Sequence, residues 1–265
     1  MQTSRWVRGA LAAALVAGSA AATAAPVLTQ GTWTTTLQAR DIAGNPVPLN
    51  AASAAFFYDT TLNVTWLRDF NAGAGSAFDT EDGFNDGRMT WARATAWAAA
   101  LNVGGFDDWR LPVVIDSGDS GCNWSFAGGT DCGYNVQTEV GGAYSEWAHL
   151  YHVTLGNLAY RDTSGTVRSG LARVDWGLVN TAHFQNMRSD YYWSGTAYAP
   201  SPATGAWYFG TRDGVQSAGF HFNHLFAVAV RPGDVFAGAV PEPSTVALLL
   251  AALGALALTR GRRTP

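Results

Sequence analysis

Apolar and polar positions change their period several times along the chain. From Gly31 to Arg40 they alternate and β-branched residues dominate, which predicts a strand. Asp41-Ile42-Ala43-Gly44-Asn45-Pro46 is turn chemistry. Phe56-Phe57-Tyr58 and Leu62 to Leu67 read as further strands around Asp59-Thr60-Thr61, and a Gly- and acid-rich loop follows from Asn71 to Gly87. The period then lengthens. Trp91, Ala94, Ala98 and Leu101 share one face of a helix that Thr90 would cap and Gly104-Gly105 would end. Trp147, Leu150, Tyr151, Thr154 and Leu155 form the stripe of a second helix over residues 146–155, capped by Ser145 and closed by Gly156. Beyond it, Trp176 to Val179, Tyr191 to Ser194, Ala206 to Phe209 and Phe226 to Val230 are short strand-like runs between loops. Two helices, several short antiparallel strands and long loops make an α+β domain.

The two ends carry a different pattern. Arg5 and Arg8 precede an apolar stretch from Ala10 to Ala17, and Ala22-Thr23-Ala24 is a small-x-small site. These are the parts of a secretory signal peptide, residues 1–24, with a signal helix and cleavage before Ala25. At the other end, Pro241-Glu242-Pro243 precedes an apolar run over 245–258 and then Arg260, Arg262 and Arg263. The run is about 14 residues, short for a spanning helix, but nothing polar opposes its insertion as a transmembrane helix. The arginines would hold the end on the cytoplasmic side. Residues 241–265 closely resemble the PEP-CTERM signal of Gram-negative bacteria. That resemblance implies recognition and cutting by an exosortase, inner-membrane anchoring through the tail helix before processing, and release to the cell surface or extracellular matrix afterwards.

Composition narrows the partners. The chain has no Lys, and its net charge is −4. Without the signal peptide and the tail, 11 Arg stand against 19 acids, about −8 for the mature body. Such a surface does not suit nucleic acid, which needs a cationic footprint. The two cysteines, Cys122 and Cys132, lie in a Gly/Asp/Ser-rich stretch. In an exported chain they read as one disulfide, closing a short loop worth roughly 2–3 kcal/mol.

Several blocks have a familiar order. They are Tyr58 to Asp69, Met89 to Asn102, Phe106-Asp107-Asp108-Trp109-Arg110-Leu111-Pro112, Tyr192 to Thr196 and Val228 to Arg231. Together they resemble the Lcl C-terminal domain family, a domain of unknown function, over residues 56–233. The resemblance implies a C-type-lectin-like scaffold with a loop-rich face. Residues 25–55 would be a separate N-terminal strand segment and 234–240 a linker. Trp109 and Leu111 would fill the core, Pro112 would mark a strand edge, and Arg110 would need a partner, with Asp69 and Asp108 the candidates.

Candidate chemistry is sparse. Asp79, Glu81, Asp82 and Asp86 could offer oxygens to Ca²⁺ from a flexible loop, but the spacing is not an EF-hand. No other cofactor is indicated. His149 and His152, and His221 and His224, stand three apart without a third ligand. Nucleophile elbow, Walker loop and dinucleotide fingerprint are all lacking. The sequence therefore reads as a non-catalytic surface or matrix protein that binds exopolysaccharide or another polymer. Trp124, Tyr134, Tyr198 and Trp207 are the aromatic candidates for stacking on sugar rings. The alternatives are a purely structural envelope protein, or a polysaccharide-active enzyme using two of Asp116, Asp119 and Asp131.

Overall fold

The computed structural model describes residues 31–81, 83–120 and 130–236. The signal peptide, Asp82, Cys122, Trp124, the motif at Pro241, Glu242 and Pro243, and the apolar segment 245–258 lie outside the described residues. In chain order the elements are α1 (Trp33–Thr36), β1 (Leu37–Asp41), β2 (Ala54–Asp59), β3 (Val64–Leu67), β4 (Arg88–Met89), α2 (Trp91–Ala100), β5 (Gly133–Tyr134), β6 (Glu139–Val140), β7 (Ala143–Tyr144) and α3 (Glu146–Ala148). Then come a π-helix (His149–Thr154), β8 (Tyr191–Ala197), β9 (Gly205–Gly210), β10 (Val215–Phe220), β11 (Leu225–Phe226) and β12 (Val230–Pro232). Few helices and many short antiparallel strands agree with the expected α+β class. No helix among the described residues is long and apolar enough to cross a membrane.

One sheet has the order β1-β2-β3-β12, the second β4-β11-β8-β9-β10-β5, and β6-β7 forms a small hairpin. Among the described strands, all pairings are antiparallel except β11 with β8. The hairpin turns at Gly141-Gly142, both at positive φ, as a two-residue turn demands. Strand alternation feeds two cores at once. Phe57 and Trp66 face one, where Phe70, Trp147, Tyr192 and Phe209 gather. Phe56 and Leu67 face the other, with Trp97, Trp109, Leu111 and Trp193. Both faces of β2 and β3 are thus covered, which explains their near-continuous apolar runs. The Trp147 and Phe209 rings stack at 5.9 Å, and Trp66 meets Trp147 edge-on at 5.8 Å. Such pairs each add about 0.5–1.5 kcal/mol beyond their burial.

Four local expectations need correction. Residues 33–36 form a helical turn rather than strand, because the Thr35 and Thr36 hydroxyls donate back to the Thr32 carbonyl at 2.9 and 3.0 Å. Alternation takes hold only at Leu37. The second helix winds as α3 for one turn and then as a π-helix. Neither Thr90 nor Ser145 caps its helix with its side chain. The Ser145 hydroxyl instead donates to Gln216 of β10, at 2.9 Å. Trp176 to Val179 is loop, with an isolated bridge from Ala172 to Trp176 and amide bonds from Gly177 to the Leu158 carbonyl and from Val179 to the Asn157 side chain.

The ends of the described body are fastened. β1 pairs with β2 along its length, so residues 37–41 belong to the first sheet. At the other end, Asp234 forms an ion pair with Arg40 at 2.6 Å and Val235 is buried, so the expected linker begins later than residue 234. Arg110 pairs with neither Asp69 nor Asp108. It grips Glu146 through two bonds of 2.8 and 2.7 Å, while Glu146 also accepts from the Val113 amide at 2.8 Å. Asp108 is taken by Arg231, and Asp69 accepts from Asn71 and Asn186.

Candidate functional site

The second sheet ends in a groove of about 350 Å³ where the end of β8, the start of β9 and the end of β10 meet. Tyr198, Tyr208 and Phe220 line it, with Ser201, Thr204 and Asn223 as its polar groups. The floor is built by register. Gly205 pairs with Phe220 and Ala206 with Gly219, so two strands cross with almost no side chain between the aromatic walls. A Cβ at Gly219 would sit 3.1 Å from the Asn223 amide nitrogen and 3.3 Å from the Tyr208 ring. Glycine is what keeps the groove open.

Two further features shape the rim. Phe220 and Phe222 stack at 5.2 Å with planes 6° apart, yet they are 57% and 70% exposed. The turn that carries them is anchored beneath by His221, whose ring stacks on Trp91 at 4.4 Å. The Trp91 amide donates to the His221 carbonyl and its indole to the Ser194 carbonyl. The aromatic pair is therefore held out toward solvent by a fixed base. Among the described residues, the Tyr208 hydroxyl and the Asn223 side-chain amide have no hydrogen-bond partner. The Ser201 and Thr204 hydroxyls bond each other at 2.9 Å.

Of the aromatic residues expected to bind, Tyr198 reaches this groove. Trp207 does not: it is buried, on the inner face of β9, with its indole donating to Asp116 at 2.7 Å and Tyr198 packed edge-on against it. Trp207 is on the wrong face because strand neighbours alternate, and Tyr208 beside it faces the groove instead. Tyr134 sits on β5, which pairs with the far end of β10, and its ring lies 6.2 Å from Tyr160. Trp124 is outside the described residues. Tyr208, Phe220 and Asn223 were missed by the sequence reading. The signal that could have found them is the Phe220-x-Phe222 spacing just after a Gly-rich, polar strand.

The acids are mostly committed to the fold. Asp116 accepts from the Gly118 and Ala199 amides as well as Trp207. Asp131 accepts from the Ser117 amide and hydroxyl at 2.6 and 2.5 Å, and Asp119 lies at 3.4 Å from that hydroxyl. In the loop read as a calcium candidate, Glu81 turns to Arg93 and, more distantly, His224. The Thr90 hydroxyl and then Arg93 hold its carboxyl below the ordinary value. Asp86 bonds Arg88, and Asp79 is buried, accepting from the Gly75 and Gly87 amides. No three metal-binding side chains converge among the described residues.

Comparison with known proteins adds one finding. The PEP-CTERM protein-sorting motif matches residues 239–263. The chain is thus an exported, surface-destined protein whose tail is handled by an exosortase. No curated protein and no solved structure matches the chain.

Proposed function

We propose that the mature protein is a non-catalytic surface or matrix protein, with an Lcl-type, lectin-like body that holds a carbohydrate polymer in the groove of Tyr198, Tyr208 and Phe220. The observation that carries this reading is the pairing of aromatic walls with an unpartnered hydroxyl and amide in one recess. Sugar rings present apolar C–H faces and rows of hydroxyls, and a site for them needs both kinds of surface. The volume lies within the range of small-molecule sites, mostly apolar with a few polar groups. Binding of a polymer explains why exposed Phe220 and Phe222 are held rigidly rather than folded away.

A glycan array followed by titration on the mature protein tests this. Phe220→Ala should weaken the best glycan roughly threefold to tenfold, the worth of about 0.5–1.5 kcal/mol of aromatic contact. The melting temperature should hardly move, because the ring is exposed. Gly219→Val, which fills the floor, should abolish binding. Retention of no glycan, or equal affinity in wild type and both variants, would remove the groove from consideration.

A further inference from the structure

A second recess, of about 380 Å³, lies at the opposite end of β8 from the groove. Asp190, which immediately precedes β8, lines this recess, and Tyr198, which immediately follows β8, lines the groove. Eight strand steps separate them, about 25 Å. The recess contains Arg88, Arg173 and Arg188, together with Asp86, Asp190 and the Phe226 ring.

The arginines of this chain are otherwise almost fully engaged. Of the 11 between residues 31 and 236, six pair with carboxylates and three donate to backbone carbonyls. Only Arg173 and Arg188 have guanidinium groups with no hydrogen bond or ion pair among the described residues, and both line this recess. Their backbones, by contrast, are fixed. The Arg188 amide donates to the Tyr192 hydroxyl at 2.7 Å, and its carbonyl accepts from Thr211 at 2.6 Å. Arg173 is held at positive φ, 64°, with its amide bonded to the Trp176 carbonyl at 2.7 Å. Holding a bulky residue in that conformation is unfavourable unless the surrounding structure imposes it.

We propose that this recess binds a carboxylate of an acidic sugar polymer through Arg173 and Arg188. The charge count calls for a singly charged anion. Arg88 is bound by Asp86 at 2.9 Å and Asp190 at 2.6 Å, so three cations face two anions and one positive charge remains. A carboxylate monoanion balances it, whereas a phosphate dianion would overshoot. Two planar guanidinium forks suit a carboxylate, which accepts in pairs. Arg88 lies over the Phe226 ring, 4.7 Å from its centroid, which gives the recess an apolar floor beside its charges. The mature body is acidic overall, so an anionic chain is repelled except where this recess receives it. The polymeric nature of the ligand rests on the groove reading; the carboxylate does not.

The test is calorimetric titration of the mature protein with an oligogalacturonate, its neutral methyl ester and free galacturonic acid. The acid oligomer should bind wild type. R173A/R188A should weaken it at least tenfold, about 1.4 kcal/mol, with near-UV circular dichroism unchanged. R93Q/R212Q removes the same charge elsewhere and should cost less than twofold. Failure of the acid oligomer to bind, or equal losses in the two double variants, overturns the recess. Free galacturonic acid binding as tightly as the oligomer overturns the polymer assignment. A methyl ester that does not bind at all counts against the groove alone.

Discussion

His152 keeps some surface as a residue, but its Nε2 is sealed from solvent without a partner, and Nδ1 reaches only the Asn157 carbonyl at 3.2 Å. Burial pushes its pKa down from 6.5 to about 4. His149 is buried beside it and is lowered by the same cause. The unfolded chain therefore takes up these protons first as pH falls. For His152 the stability is complete above pH 6.5 and drains away between there and about pH 4, and His149 adds a loss of the same sign. For His152 alone the loss should approach roughly 3 kcal/mol at most. Asp59, whose pKa burial raises, opposes it with the reverse sign. Melting temperature should accordingly fall between pH 7 and pH 4, and His152→Gln should flatten the fall. An unchanged pH profile in the variant would show that the ring is solvated. At this scale the sequence was partly legible. Trp66, Trp97, Trp109, Trp147 and Trp193 went to the core, as large apolar residues do. Trp207 was misassigned because its face is decided by strand register, and register depends on pairing partners far away in the chain.

The second helix shows the same limit one level up. Its stripe of Trp147, Leu150, Tyr151, Thr154 and Leu155 is buried as expected, yet periodicity did not reveal the π winding that also draws His149 inside. Gln216, Ser217 and Gly219 hid β10, since a strand that buries a Gln next to its one buried Val has no apolar rhythm. Its Gln216 is satisfied by groups distant in sequence, the Ser145 hydroxyl and the carbonyls of Asp131 and, more weakly, Ile115. The start of the helix depends on Glu146, which ties it to the 110–113 segment. Glu146→Ala should cost about 2–3 kcal/mol in urea unfolding. The lower part of the range applies because Arg110 keeps 36% of its side chain exposed and solvent compensates it. A loss below about 0.5 kcal/mol would mean the pair behaves as an ordinary surface contact.

For the whole molecule, the tail was the most legible part, because a sorting signal is read as linear chemistry and needs no fold. The paired sheets and both recesses were not legible, since residues far apart in sequence build them. Intact mass of the protein from its native host should lack everything past the Pro241 region. The same unreduced spectrum should be lighter by two hydrogens, for the proposed bridge between Cys122 and Cys132. No described cysteine is free and Cys132 is buried, but the pairing itself extends beyond the described residues. A full-length mass would remove the processing claim, and a mass without the two-hydrogen deficit would remove the bridge.

The clasp between Arg40 and Asp234, with Val235 buried just beyond it, sets how long a leash the sorting enzyme is offered. From Val235 to Pro241 there are six residues, which reach about 20 Å when fully drawn out. That is no more than the length of β8 alone, which also spans about 20 Å. The cutting enzyme must then work in the shadow of an already folded cargo, or else act before β12 closes against β3 and the leash is still slack.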